Sequence, residues 1–411
     1  MRLSFGSTKP TRTLILLLPL AVISAVAFSC VAPSAGGGCG GPGAQGWSGF
    51  ASYDGVLYFG SMDGKVLAVD PVARSEGLYF PSEREWVFSI RTQAPQGAPC
   101  GFGCMPAARP AAIYGTPAVT ETLVYVGTYV GDGGKVFAMN RPKPQYDEEG
   151  IPSWTEGEWF YPRGERGSIG AIVGSPIVHG DTVYVGDSQG KVHALDAASG
   201  TRRWEYETGG KIWTSPAVKD GVVYIGNYEG KLHSLSSDDG SLLWEVELPA
   251  AIASSPVVSG NTVFLGTFDH YLWAIDGNSG REKWKFEGGN WFWAAPVVMG
   301  NVVYAGCLDH TIYALDARSG RKLWQFVADS PIVSTPVLVN DLLVAVSESG
   351  QVYAVEAASG VNQWDTSIGY SVMAPLYAEA GMVYVHARND QVCSIDARNG
   401  QKVWEYLLDS D

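Results

Sequence analysis

Basic charge is scarce in this chain. Twenty-eight Lys and Arg stand against 42 Asp and Glu, a formal net charge of −14. Arg2, Lys9 and Arg12 lie in the first 29 residues, which hold no acid; without that segment 25 bases face 42 acids, a charge of −17. A phosphate backbone would be repelled, which excludes nucleic acid as a partner. An anionic membrane surface is excluded as well unless a tether enforces proximity. The apolar run "TLILLLPLAVISAVAF" has 16 residues, short of the roughly 20 that a spanning helix needs. Charged residues make up only 17% and hydrophobic ones 46%, which excludes disorder. A 3.6-residue apolar stripe is missing from the regular part of the chain, which argues against helical repeats. Neither His-Glu-x-x-His nor Cys-x-x-Cys occurs, so the common zinc and dithiol signatures are absent. The six cysteines are Cys30, Cys39, Cys100, Cys104, Cys307 and Cys393, and no two are adjacent.

What is present begins with an export pattern. Basic "MRLSFGSTKPTR" precedes the apolar run, and "SC" follows, so residues 1–29 read as a signal peptide. The ending "AFSC" resembles a bacterial lipobox, which implies lipidation of Cys30, although Ala27 and Phe28 depart from the usual residues. Residues 30–46 are a Gly-rich tether by composition. Residues 47–411 form one domain.

In that domain Trp204, Trp244, Trp284, Trp324, Trp364 and Trp404 recur every 40 residues, and a glycine precedes each by four, from Gly200 to Gly400. A fixed register over half the chain is an internal repeat. Each unit holds four short β-prone runs divided by turn residues, as in "SPVVS", "TVFLGT", "YLWAID" and "EKWKFEG", which predicts a four-stranded meander. Such sheets bury both faces when stacked radially, so the expected fold is an all-β propeller. Earlier units with Trp86 and Trp159 bring the expected number of blades to eight, with seven the alternative. Asp196, Asp276, Asp316 and Asp396 are placed to accept turn N–H groups, the glycine supplies φ > 0, and the tryptophan fills the wedge between blades. Ser236 and Glu356 replace the aspartate in two units.

The phrase A-x-D-x-x-[ST]-G-x-x-x-W resembles the tryptophan-docking motif of pyrroloquinoline-quinone-type (PQQ-like) propeller repeats, over essentially everything after residue 46. Two groups carry that repeat. Quinoprotein dehydrogenases hold PQQ and calcium; BamB-type lipoproteins are non-enzymatic scaffolds in the cell envelope. The dehydrogenases have an adjacent Cys-Cys pair and long insertions, and here there is neither a pair nor any stretch onto which their calcium or catalytic residues can be carried. The resemblance therefore implies a BamB-like, lipid-anchored, monomeric scaffold without cofactor or enzymatic activity, binding envelope proteins through the propeller surface. A ligand-binding protein or PQQ-dependent oxidoreductase is the alternative.

Aligning units on the "SP" ahead of the innermost strand places Trp47, Tyr114, Val173, Trp213, Ala253, Trp293, Val333 and Val372 at one channel mouth. Trp291 and Phe292 lie close by, and second-to-third-strand turns add Asp63, Tyr228, Asp269, Asp309 and Arg388. The aromatics either bind a partner or plug the channel. His270 and His310 share one turn position on the same candidate binding face and read as solvated turns, with a metal pair the alternative. His193 and His233 read as strand residues. Cys100 and Cys104, in the insertion 92–114, are expected to form a small disulfide, and Cys307 and Cys393 to be buried.

Overall fold

Each repeat becomes a meander for reasons visible in the fifth unit. Val257–Ser259 turns at Gly260, whose φ of 56° admits a two-residue hairpin, into Thr262–Gly266. Tyr271–Asp276 and Glu282–Glu287 follow, all antiparallel. The two middle strands are buried almost throughout while the outermost alternates between buried and exposed. A strand between blades packs on both faces; the outer one has a wet side.

The computed structural model describes residues 48–90, 111–130, 133–141, 158–163 and 168–407. Among them are eight four-stranded antiparallel sheets, spanning residues 51–89, 118–161, 177–207, 217–247, 257–287, 297–327, 337–367 and 377–407. These are the blades of an eight-bladed propeller, so the seven-bladed alternative is set aside. Eight hydrophobic clusters each join two neighbouring blades, and one of them joins the eighth to the first. The ring is therefore closed.

Each blade takes its four strands from one stretch of chain, interrupted by a further strand only in the second, where Gly133–Gly134 pairs with Ile169–Gly170, so closure is by side chains and not by a shared strand. Phe50, Leu57 and Phe59 of the first blade pack on Tyr384, Val392 and Trp404 of the eighth, and Ser52 Oγ donates to Glu379 at 2.7 Å. An insertion in the first blade, with a short helix at Pro71–Ser75, reinforces this seam. Its Arg74 lies 5.4 Å from the ring centroids of both Phe80 and Tyr406, and forms a buried ion pair with Glu85 at 2.7 Å.

The tryptophans lie on the outermost strands, as their spacing predicts. Nε1 of Trp159, Trp204, Trp244, Trp284, Trp324 and Trp364 donates to a carbonyl of the following blade at 2.8–3.0 Å. Trp86 does the same to Arg141 at 3.2 Å. Among the described residues Trp404 makes no such bond; its ring packs in the closing seam. The motif aspartates accept turn N–H groups as expected, for example Asp276 from Ser279 at 3.0 Å and Asp316 from Ser319 at 2.9 Å.

The Ser of "SP" also has a task. Ser175 Oγ accepts from Thr116 N, Ser215 Oγ from Ser175 N and Ser255 Oγ from Ser215 N, at 2.8–2.9 Å. These bonds stitch the inner loops of consecutive blades around the channel, satisfying backbone donors that the short inner strands leave open.

Candidate functional site

From the second blade to the eighth, the loop before the innermost strand alternates buried and partly exposed residues. Ile212 is fully buried on Gly186 of the preceding blade, where a Cβ would stand 2.4 Å from its Cγ2. Thr214 is buried too, donating Oγ1–H to the Gly226 carbonyl at 2.8 Å. Trp213, between them, is partly exposed. The sixth blade repeats this: Phe292 is buried against Gly266, and Trp293 is partly exposed between Phe292 and the buried Ala294. Phe292 is therefore a wedge in the core and not part of the mouth.

The second-to-third-strand turns do lie against these loops. Tyr228 N donates to Lys211 O at 2.8 Å, Phe268 N to Ala251 O at 3.1 Å, Leu308 N to Trp291 O at 3.0 Å and Arg388 N to Ser371 O at 2.9 Å. This arrangement joins rings from three blades into one arc. Trp213 packs on Tyr228 with centroids 4.7 Å apart, and Tyr228 meets Phe268 edge to face at 5.8 Å. Phe268 stacks nearly parallel on Trp291 at 4.4 Å and on Trp293 at 5.5 Å. Trp291 remains 37% exposed. Burial pushes the Tyr228 phenol up to about 12, so it stays a neutral hydroxyl.

Phe268 is the link that sequence reasoning missed. Its signal was available, because it stands 40 residues after Tyr228 in the same turn. Tyr114 is not part of this arc; it pairs with Tyr129 at 5.3 Å in the second blade. Trp47, Cys30, Cys100 and Cys104 lie outside the described residues. Val372 is misplaced by the proline alignment. The eighth innermost strand starts at Tyr377, as the seventh starts at Val337, so Val372 matches the wedge Ile332 and is fully buried. Met373 holds the mouth position instead.

The polar rim is anchored by its own hydrogen bonds. Asp309 accepts from Tyr313 Oη at 2.6 Å, Gly289 N at 2.7 Å and Thr311 N at 3.0 Å. Asp269 accepts from the Thr267 hydroxyl. Asp63 pairs with Lys65 at 2.8 Å. Arg388 belongs to the turn of the eighth blade. His270 and His310 have φ of 74° and 70° and occupy the turn position where other blades have Gly190, Gly230 and Gly350, an uncommon conformation for a side-chain-bearing residue. Among the described residues no group of three or more His, Cys, Asp or Glu is arranged to hold a metal.

His193 and His233 are buried strand residues, as expected. Residues 186–190, Gly-Asp-Ser-Gln-Gly, match the Gly-x-Ser-x-Gly pattern of hydrolases in sequence, but they form a strand-to-strand turn and not the strand-to-helix elbow. Ser188 Oγ accepts from Ala171 N at 2.8 Å, and His193 Nε2 bonds Asp187 at 2.9 Å in full burial. Cys307 and Cys393 are buried free thiols, both pushed up to about 12 by burial. The arc thus offers ring faces, a neutral phenol and carboxylates, which is the chemistry of recognition.

No curated protein matches this chain in sequence. Among solved structures it is similar to BamB from Moraxella catarrhalis, at 18% identity and a TM-score of 0.62, covering 84% of this chain and 92% of that one. It is also similar to the computationally designed Ika8 protein, at 15% identity and a TM-score of 0.65, covering 89% and 100%. At these identities both show the fold alone. The family model "Outer membrane protein assembly factor BamB" matches residues 42–215, 207–325 and 308–411. Together these matches take in the whole propeller, and the chain belongs to the BamB family.

Proposed function

We propose that this protein is a non-enzymatic scaffold of the cell envelope, exported, lipid-anchored through Cys30 and monomeric, that docks an envelope protein on the aromatic mouth of its propeller. The family description, an outer membrane protein assembly factor, supports a place beside assembly machinery on the extracytoplasmic side. The observation that carries the docking reading is the arc from Trp213 to Trp293, three blades wide, with Trp291 still exposed. Large rings held by a rigid scaffold bind at low entropic cost. No cofactor enters this account.

Affinity capture of the protein from its native envelope tests the reading. Recovery of one envelope protein complex supports it; recovery of PQQ or a sugar in its place contradicts it. The anchor is tested separately: the wild type should partition into detergent, and Cys30→Ser should be released or remain an uncleaved precursor. A wild type that washes off with salt alone would remove the anchor from the account. For Cys100 and Cys104 we propose a disulfide, expected as a gain of two mass units on reduction under denaturing conditions.

A further inference from the structure

We propose that the aromatic arc takes an extended basic peptide, with arginine or lysine side chains laid on the ring faces. This rests on the docking reading above and adds the chemistry of the partner. An aromatic face carries the negative lobe of its quadrupole and attracts cations within about 6 Å. The arc carries rings in three consecutive blades, Tyr228, Phe268 and Trp291; Phe268 is covered by Trp291 and Trp293, and Trp291, 37% exposed, offers the open face. With Glu229, Asp269 and Asp309 spaced beside these rings over three blades, the surface suits an extended chain better than a compact ligand.

Charge points the same way. Glu229, Asp269 and Asp309 follow one another in the turns of the fourth, fifth and sixth blades, and Lys211 is the nearby base in the fourth mouth loop. The hydrogen bonds of Asp269 and Asp309 orient their carboxylates without removing the charge. Without residues 1–29 the net charge is −17, so the molecule as a whole attracts a cationic segment and repels an acidic one, and the three carboxylates favour it at the mouth. A neutral glycan would gain from stacking but nothing from this field.

The test uses the detergent-solubilised full-length protein and a fluorescein-labelled peptide of about twelve residues alternating arginine and proline. An alternating glutamate–proline peptide and a neutral gluco-oligosaccharide serve as comparisons. Saturable binding of the basic peptide, weakened by salt, is expected. Trp291→Ala should weaken it about fivefold to tenfold, and Glu229→Gln with Asp269→Asn should flatten its salt dependence. Tyr79→Ala, which removes a ring 97% exposed outside the arc, should change nothing. Equal binding to wild type and Trp291→Ala, or equal binding of the acidic peptide, would overturn the proposal. So would oligosaccharide binding without peptide binding. Envelope capture run in parallel separates the two claims. A partner captured through the arc while the peptide fails to bind refutes only the basic-peptide chemistry. Peptide binding with no captured partner supports that chemistry and refutes the scaffold reading.

Discussion

The indole of Trp284 lies directly on Gly320 of the next blade. A Cβ there would stand 2.7 Å from Cδ2 of the ring, while Nε1 of the same ring donates to Ala317 O at 3.0 Å. Gly320 therefore answers two demands, a φ of 70° and a flat floor for its neighbour's tryptophan. Trp284→Ala should cost about 3–5 kcal/mol by urea unfolding. Gly320→Ala should cost about 2–4 kcal/mol, from the left-handed backbone and the clash together. Gly300→Ala, with φ of 59° but open space around it, should cost only about 1 kcal/mol. Equal losses at the two glycines would mean that the ring contact contributes nothing.

The spacing of Trp and Gly was enough to read the repeat, the meander and the ring, because a turn that needs φ > 0 and a wedge that needs a large ring both constrain residue type. The partner of each ring was not legible. A period of 40 residues does not say whether a tryptophan docks forward or backward along the chain. Only the structure puts Trp284 on Gly320 and not on Gly280. The mouth was half legible for a similar reason. "SP" locates Trp213 and Trp293, but in the eighth blade Pro375 stands one position earlier relative to its strand, and the alignment slipped to Val372. The 40-residue period places Phe268 in the same turn as Tyr228, but only the structure shows Trp291 and Trp293 stacked against it.

The ring-closing seam depends on a buried charge pair. Arg74 and Glu85 side chains are 5% and 0% exposed, and Glu85 also accepts from Asp70 N at 3.0 Å and Ser82 N at 2.8 Å. Glu85→Gln leaves the arginine charge buried without its counter-ion, which should cost about 3–5 kcal/mol. Hydrogen exchange should show the loss first in Lys402–Leu407 and the first-blade strands, with the fourth blade still protected. Uniform loss of protection around the ring would show that the seam is not a separate weak point.

His233 should make stability depend on pH. Among the described residues neither ring nitrogen has a hydrogen-bond partner; Nδ1 lies 3.3 Å from Glu245 Oε2, within ion-pair range but off hydrogen-bonding geometry. Burial lowers its pKa to about 4, with the Glu245 charge opposing and Lys231 assisting. The unfolded chain takes up the proton near pH 6.5, whereas the folded one holds the ring neutral down to about 4. This contribution is complete above pH 6.5 and is lost as pH falls toward 4, a total of about 3 kcal/mol. Between pH 7 and 5 the urea midpoint of wild type should fall more steeply than that of His233→Leu. Parallel slopes would remove His233 from the account.

The mouth aromatics as the docking surface are tested most directly by Trp213→Ala combined with Trp293→Ala. The two rings lie at opposite ends of the arc, joined through Tyr228 and Phe268, and both are partly exposed, so the blades should stand without them. The decisive measurement is capture of the envelope partner by this double variant, alongside its circular dichroism and urea midpoint. The account predicts a folded protein with a midpoint close to wild type and no partner recovered. An unfolded or strongly destabilised variant, or a folded one that still recovers its partner in full, would contradict it and make these rings a plug in the channel.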